Sequence, residues 1–205
     1  GDHGMGGAVR IAAEAAARSG AGLTSVITRR AHVPALLAAR PELMVHGLEE
    51  GDAVDDFIER ASVLAIGPGL GKSDWGSRLL AAALASDRPL VVDADALNLL
   101  ATTASVRGDW ILTPHAGEAA RLLNADIASV NADRFAAVES LAREYHAVVV
   151  LKGAGTLISD GAQCYVCTEG NPGMASGGMG DALTGVIAGL RAQGLDALMA
   201  ARLGV

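Results

Sequence analysis

One glycine-rich stretch ends in an acid at the start of a predicted helix. The acid is Asp181, and three of the four residues before it are glycines: Gly177, Gly178 and Gly180. Glycines let a ligand approach the backbone closely, and the free N–H groups and dipole of a helix start attract anions. We therefore predict an anion-binding loop over 177–180. Asp181 could accept the proton of a hydroxyl that attacks phosphorus, or could simply be a helix-start acid.

A second glycine-rich turn, GPGLGKS at 67–73, follows a predicted buried strand. It is one residue too short for a Walker A loop, and its third glycine comes one residue early for a dinucleotide-binding fingerprint. We interpret the segment as a turn that permits close approach of a flat or phosphorylated ligand. A plain turn is the alternative.

Polar residues follow the next two predicted strands. Asp93 and Asp95 come after the strand 90–92, and His115 and Glu118 come after the strand 110–113. We expect His115 to hydrogen-bond a substrate and Glu118 to help organise a hydrated magnesium ion, although acids at these positions also cap helices. The spacing His-x-x-Glu is not a zinc motif, so no directly bound metal is predicted.

Lys152 ends the apolar stretch 147–152, where glycines follow it. A lysine in this position suits a phosphate contact, and a solvated strand end is the alternative.

Cys164 and Cys167 lie in a predicted strand, where positions three apart face opposite sides. We interpret them as ordinary strand residues rather than a metal or redox pair.

The elements that carry these residues alternate between helix and strand. Helices are predicted over 7–19, 33–39, 54–60, 74–84, 96–101, 117–123, 132–145 and 180–193, with a last one from about 195. Strands are predicted over 23–28, 43–45, 62–66, 90–92, 110–113 and 147–152, with a hairpin of 156–159 and 163–168. This order predicts an α/β fold with a parallel sheet covered on both faces, and its ligands lie beyond the carboxyl ends of the strands.

Composition limits the function classes. The 205 residues are 51% hydrophobic, enough for the core of one domain, and the net charge of −7 argues against a nucleic-acid partner. No apolar run reaches the roughly 18 residues of a membrane span, so no membrane partner is expected. The first residues do not resemble a signal peptide and there are only two cysteines, so we expect a cytoplasmic protein.

Five motifs occur in the order of one known family: GPGLG at 67–71, VVDADALN at 91–98, LTPHAGE at 112–118, LKG at 151–153 and NPGMASGGMGD at 171–181. Together they resemble the ADP-dependent bacterial NAD(P)H-hydrate dehydratases. The resemblance extends from Gly1 to Val205. It implies a ribokinase-like three-layer sandwich, with a mostly parallel central sheet and a β-hairpin in the C-terminal part.

The resemblance implies repair of NADHX and NADPHX, the hydrated forms of the reduced nicotinamide cofactors, at the expense of ADP or ATP with Mg²⁺. It assigns contacts with the hydrated cofactor to Ala8, Gly69, His115 and Asp181. Contacts with the adenine nucleotide would come from Lys152, Gly153, Ala154, Gly155, Thr156 and Gly180. Asp181 would also be the catalytic base.

The family also sets expectations about the whole protein. Its members have a strand before the opening glycine loop and helices beyond the position of Val205. We therefore expect residues 1–205 to be a single dehydratase domain, truncated at both ends. The family is commonly homotetrameric, and in many bacteria it is fused to an epimerase domain for the two hydrate epimers.

Three alternatives stay open at this stage. A ribokinase-like kinase for a small alcohol such as hydroxyethylthiazole would share the glycine loop and the base. A non-catalytic nucleotide-binding module would share the fold without turnover. A nicotinamide dehydrogenase is disfavoured by the glycine spacing at 67–71.

Overall fold

The computed structural model describes residues 1–103 and 105–205. Six strands form the central sheet in the order β3-β4-β5-β6-β7-β8. They are β3 (Leu64–Ile66), β4 (Leu90–Val92), β5 (Trp110–Leu112), β6 (Val148–Leu151), β7 (Thr156–Ser159) and β8 (Cys164–Cys167). Neighbours from β3 to β6 pair in parallel, and β7 and β8 form the predicted antiparallel hairpin. A separate parallel pair comprises β1 (Ser25–Thr28) and β2 (Met44–Gly47).

The helices alternate with the strands along the chain. They are α1 (Gly6–Arg18), α2 (Val33–Ala39), α3 (Asp55–Arg60), α4 (Asp74–Ala85), α5 (Ala94–Leu100), α6 (Ala116–Leu122), α7 (Ile127–Ala132), α8 (Arg134–Tyr145), α9 (Met179–Ala192) and α10 (Ala197–Gly204). Within the parts of the chain that the structure describes, none of them is long and apolar enough to span a membrane.

Both faces of the sheet carry buried apolar side chains, as predicted. The larger core packs α4, α5, α6 and α8 against one face and includes the buried Trp75 and Trp110. On the other face, Val91 and Val150 of the sheet pack against Ile187 of α9 and Ala200 of α10. The continuous apolar strands β4, β5 and β6 are therefore buried on both sides, which is typical of parallel sheets between helix layers.

Small residues let α1 and α9 pack closely. A Cβ at Gly185 would lie 2.0 Å from the carbonyl oxygen of Ala12, and one at Gly189 would lie 2.8 Å from that of Ala16. The backbones are thus in contact at both positions, four residues apart on each helix. This packing places the first turn of α9 beside α1, since a Cβ at Gly178 would meet Ile11 at 2.9 Å.

Two predicted elements differ from the structure. The strand predicted as buried over 62–66 is β3, which lies at the edge of the sheet and leaves Ala65 exposed. The helix predicted over 132–145 begins later, at Arg134, and a separate helix, α7, precedes it. Asp133 lies between α7 and α8, and its carboxylate caps the second of them by accepting from the amide of Ala136. Such a side chain ends one helix and starts the next.

Candidate active site

The loops with predicted chemistry meet at the carboxyl ends of β3 to β6. The amide of Asp93 donates to the carbonyl of Ile66 at 3.0 Å, and the amide of Thr113 donates to that of Val92 at 3.0 Å. These bonds extend the parallel ladder beyond the strands. The loops after β3, β4 and β5 therefore begin side by side, at the end of the sheet where ligands are expected.

The turn after β3 lies directly on the backbone of the neighbouring loop. Gly67 has φ +127°, and a Cβ there would lie 1.7 Å from the carbonyl oxygen of Asp93. Only glycine fits that position. Further along the turn, the amide of Gly71 donates to Asp95 at 3.0 Å. The two loops are thus held together by close contact and by one hydrogen bond.

Ala8 and Gly69, both predicted to contact the hydrated cofactor, are neighbours in space. A Cβ at Gly69 would lie 3.2 Å from the Cβ of Ala8 and 2.5 Å from the carbonyl oxygen of Met5. The amide of Asp2 donates to the carbonyl of Gly69 at 2.7 Å. We call residues 1–8 and 67–73 the first wall of the site.

A buried arginine holds the first wall in place. Arg29 is 2% exposed, and its Nε donates to Asp2 at 2.7 Å while its other nitrogens pair with Glu49 and Glu50. Asp2 in turn accepts from the hydroxyl of Ser73 at 2.7 Å. Burial alone would raise the pKa of Asp2, but the hydrogen bonds from Ser73, Arg29 and a backbone amide outweigh it and lower its pKa to about 2. Asp2 is therefore a firmly ionised structural anchor.

Lys152 points into the protein rather than into solvent. Its Nζ lies 2.6 Å from Oδ1 of Asp93, and Oδ2 of Asp93 accepts from the hydroxyl of Thr184 at 2.8 Å. A Cβ at Gly180 would lie 3.3 Å from the same Nζ. The lysine therefore reaches the first turn of α9, and the solvated strand end considered above does not occur. We call Lys152, Asp93 and the first two turns of α9 the second wall.

His115 and Glu118 form a capping box at the start of α6. The amide of Gly117 donates to Nδ1 of His115, and the amide of His115 donates to Oε2 of Glu118 at 2.8 Å. Because Nδ1 accepts, the ring proton is on Nε2, 3.3 Å from Oε1 of Glu118. Glu118 is buried, and its Oε2 lies 3.9 Å from Nζ of Lys152. Burial raises the pKa of Glu118, and the charge of Lys152 opposes this rise.

The capping role and the functional role of these two residues do not exclude one another. The helix cap fixes both side chains beside Lys152, while the His115 ring remains more than half exposed at the site. The cap thus positions an exposed imidazole and a buried carboxylate at the same end of β5 and β6.

Asp181 lies in the first turn of α9, directly after the glycine loop. Gly178 caps this helix with φ +92°, so the turn begins without a side chain over its N–H groups. The first N–H groups of a helix have no partner within it. Burial raises the pKa of Asp181, and the charges of Asp93 and Asp95 add to the rise while Lys152 opposes it. A carboxylate with a raised pKa is a better proton acceptor near neutral pH.

The loop after β6 is fastened by an arginine that the sequence analysis missed. Arg134, at the start of α8, donates to the carbonyl oxygens of Ala154 at 2.6 Å and Leu151 at 3.1 Å. The hydroxyl of Thr156 donates to the carbonyl of Gly153 at 3.0 Å. Gly155, with φ +66°, turns the chain into β7 near Val166. The predicted nucleotide segment is therefore a shaped loop whose N-terminal end, Lys152, faces α9.

The structure thus brings most of the predicted site residues into two groups near the carboxyl ends of the central strands. Ala8 and Gly69 lie in the first wall, and Lys152, Gly180 and Asp181 lie in the second, with His115 and Glu118 beside Lys152. The sequence analysis gave no role to Thr184, Arg29 or Arg134. A signal existed only for Asp93, which follows a buried strand. A threonine inside a helix, an arginine in a loop and an arginine at a helix start carry no local pattern.

The family of the chain follows from its sequence as a whole. A family model described as NAD(P)H-hydrate dehydratase matches residues 1–204 of the chain. The chain belongs to the NAD(P)H-hydrate dehydratase family. This confirms the family that the five motifs indicate.

Relatives and solved structures carry the same description. The chain is 57% identical over 206 residues to the bifunctional NAD(P)H-hydrate repair enzyme Nnr of Coxiella burnetii, covering 100% of this chain and 42% of that protein. It is 41% identical over 213 residues to the ADP-dependent (S)-NAD(P)H-hydrate dehydratase of Neisseria meningitidis, covering 98% and 70%. The chain therefore spans less than half the length of the Coxiella relative.

The fold has a solved counterpart in this dehydratase family. The ADP/ATP-dependent NAD(P)H-hydrate dehydratase of Bacillus subtilis, crystallised with ATP and Mg²⁺ and soaked with CoA, superposes with a TM-score of 0.86 at 28% identity. The match covers 100% of this chain and 76% of that one. The predicted ribokinase-like α/β fold is confirmed.

Proposed function

We propose that this chain catalyses the ADP- or ATP-dependent dehydration of NADHX and NADPHX to NADH and NADPH. The observation that carries the proposal is the second wall, where Lys152 and Asp181 both lie at the start of α9, which has no side-chain cap. A cation, free helix N–H groups and a carboxylate with a raised pKa are what transfer of a phosphoryl group to a hydroxyl requires. Membership of the NAD(P)H-hydrate dehydratase family supports a hydrated nicotinamide cofactor as the substrate that carries this hydroxyl.

The need for a nucleotide follows from the leaving group. Hydroxide is a poor leaving group, since the pKa of water is about 15.7. In the proposed reaction the substrate hydroxyl gives its proton to Asp181 and attacks the terminal phosphorus of ADP, which releases AMP. The C–O bond of the phosphorylated carbon then breaks with loss of phosphate, whose relevant pKa is about 6. The electron pair of the ring nitrogen restores the dihydropyridine.

The two walls divide the binding roles. Ala8 and Gly69 of the first wall, with His115, would contact the hydrated nicotinamide. The nucleotide would lie along Gly180 and the loop of Lys152, Gly153, Ala154, Gly155 and Thr156. Two observations support this division: Gly69 packs directly against Ala8, and the 152–156 loop begins at a lysine that faces the start of α9.

Magnesium fits this site as a companion of the nucleotide. Over residues 1–103 and 105–205, no group of three or more metal-ligating side chains is found, and Mg²⁺ commonly binds through phosphates, waters and one or two carboxylates. Glu118 is buried, and its Oε2 lies 3.9 Å from Nζ of Lys152. We propose that this carboxylate orients the water ligands of the magnesium ion. When bound, the ion would neutralise phosphate charge.

We also propose a cytoplasmic homotetramer. Because the chain spans 42% of the bifunctional Coxiella repair enzyme, fusion to an epimerase domain is part of the proposal.

The deciding experiment follows recovery of the NADH absorbance from enzymatically prepared NADHX, with ADP and ATP in parallel. We expect recovery only when a nucleotide is present, with one AMP formed per NADH when ADP is used. Hydroxyethylthiazole serves as the competing substrate. Phosphorylation of that alcohol without NADH recovery would establish the kinase alternative, and ADP binding without any turnover would establish the non-catalytic module.

A further inference from the structure

Asp93 makes contacts that its local position does not require. It occupies the N-cap position of α5, where an aspartate ordinarily accepts from the amides of the first helical turn, yet its carboxylate makes no such bond. Instead its two oxygens accept from Lys152, 59 residues away, and from Thr184, 91 residues away. The residue is 1% exposed; its bond with Thr184 is buried and its bond with Lys152 is partly buried.

The backbone beside Asp93 is strained. Ala94 has φ +47°, in the left-handed region that costs a residue with a Cβ roughly 1 kcal/mol or more. Directly before it, the carbonyl of Asp93 lies against Gly67, where no Cβ would fit. The chain therefore accepts a strained residue and forgoes a helix cap at the position where the carboxylate points into the second wall.

The two partners of Asp93 belong to different parts of the second wall. Lys152 begins the predicted nucleotide loop and brings its Nζ to within 3.3 Å of the position a Cβ at Gly180 would take. Thr184 lies on the same helix as Asp181, one turn further on, and is fully buried. Asp93 is thus the one side chain in the described contacts that joins the lysine to the helix of the catalytic aspartate.

We propose that Asp93 is a positioning residue for the dehydration: it fixes the Lys152 ammonium and the first two turns of α9 in one geometry, so that a phosphoryl group meets the lysine and Asp181 together. This inference rests on the proposed function. Asp93 would not touch the substrate. Without Asp93, the Lys152 side chain could swing outwards and bind the nucleotide phosphates too far from Asp181. Asp181 could then not accept the proton of the attacking hydroxyl.

The charge of Asp93 has a second effect. The charged groups around Asp181 are Asp93, Asp95 and Lys152, with Glu118 and His115 beside the lysine. Asp93 helps to raise the pKa of Asp181, so removal of its charge lowers that pKa. The acidic limb of the pH–rate profile is then expected to move to lower pH, because Asp181 stays ionised further into acid.

The test is Asp93→Asn in the complete protein. Asparagine keeps the shape, since its oxygen can face Lys152 and its amide can donate to the Thr184 hydroxyl. We expect kcat to fall by about 10- to 100-fold, the range seen when groups that orient reacting residues are removed. ADP should bind at least as tightly, because one negative charge near its phosphates is gone. A fold defect would instead weaken both binding and turnover.

A second pair of variants covers the case in which Asp93→Asn does not fold. Thr184→Val removes the hydroxyl that donates to Asp93, and Thr184→Ser keeps it. We expect a loss of kcat in the valine variant that serine restores, with the KM for NADHX little changed. Asp126→Asn, which alters an exposed helix cap on α7, is the matched control and should keep wild-type kcat and pH profile.

The outcomes separate the two hypotheses. A wild-type protein that binds ADP but does not convert NADHX overturns the proposed function. Wild-type turnover, together with Asp93→Asn at wild-type kcat and an unmoved pH profile, overturns the positioning role alone. If Asp93→Asn does not fold, equal kcat in Thr184→Val and Thr184→Ser overturns it.

Discussion

The two walls differ in how their charges are paired. Behind the first wall, the buried guanidinium of Arg29 pairs with three carboxylates, and one of them, Asp2, also accepts from the hydroxyl of Ser73. In the second wall, Lys152 lies within 4 Å of the carboxylates of Asp93 and Glu118. The negative charges of Asp93 and Asp95 also act on the carboxyl group of Asp181. The carboxylates behind the first wall are paired with the arginine. Near the second wall, several carboxylates surround one lysine, so their negative charges are only partly neutralised.

The pKa values express this difference. The pKa of Asp2 is lowered to about 2, whereas burial raises those of Asp181 and Glu118. Groups held away from their ordinary pKa in the direction that hinders ionisation are typical of reacting sites. Under the proposed function, the first wall would supply shape and the second the reacting groups, so variants in the two walls should differ in what they lose.

The largest effect is expected in the second wall, from Asp181→Asn. Loss of the base should reduce turnover at least about 100-fold, the usual scale for general base catalysis, while ADP binding is retained. Steady-state NADH recovery and calorimetric ADP titration measure the two quantities. Asp55→Asn is the matched control, because Asp55 is also an acid in the first turn of a helix but is exposed on α3. Near-normal turnover of Asp181→Asn would remove this residue from the mechanism.

In the first wall the corresponding break is Arg29→Met. Removal of the cation leaves Asp2 buried without its main partner, and breaking a buried pair from one side costs about 3 kcal/mol or more. Urea unfolding should report this loss. Arg30→Met is the control, since the Arg30 side chain is 65% exposed and its pair with Asp52 lies at the surface. Equal stability of the two variants would contradict the structural role of the first wall.

Acid should separate the walls without any mutation. The pKa of Asp2 is lowered on folding from 3.8 to about 2, so its contribution to stability is present above about pH 4 and is lost as the pH falls towards 2. The raised pKa of Asp181 means that the base becomes protonated above the usual carboxylate range. Turnover should therefore decline at a higher pH than the fold does. Parallel pH–rate and pH–melting curves that coincide would contradict this.

The smallest effect is expected for Arg134→Ala. The side chain shapes the nucleotide loop through the carbonyl oxygens of Leu151 and Ala154 at a partly exposed position. We expect the KM for the nucleotide to rise about 5-fold, or ~1 kcal/mol for a weakened hydrogen-bonded loop, with kcat nearly unchanged. Arg143→Ala, at an exposed site on the same helix, should behave as wild type. A fall in kcat would show that Arg134 acts on the chemistry instead.

Local patterns in the sequence predict most of the elements and the motifs. Apolar runs such as 90–92 and 147–152 identified the central strands, and the Asp160-Gly161 turn identified the hairpin. The edge position of β3 was not visible, because its composition is that of a buried strand. Likewise α7 was missed, because the polar residues around Asp133 look like a loop until their capping role is seen.

The site was predictable where glycines and strand ends mark it, and not where distant residues meet. The glycine loop before Asp181 and the lysine after β6 could be identified from neighbours in the chain. The bonds of Asp93 with Lys152 and Thr184 depend on the packing of three separate elements. A local sequence pattern contains no information about partners this distant in the chain. The carboxylate of Asp93 could therefore be identified as a candidate, but its contacts could not be predicted.

The contact between α1 and α9 has a consequence for the spacing of the two ligands. The helices run in the same direction, with Ala12 opposite Gly185 and Ala16 opposite Gly189. The first turn of α1, which carries Ala8, and the loop before Asp181 therefore lie at the same end of one helix pair. A slip of one turn would displace one loop against the other by about 5.4 Å, farther than a reacting hydroxyl can follow. In the proposed reaction, the glycine–alanine contacts would therefore fix the distance between the alcohol and the phosphate.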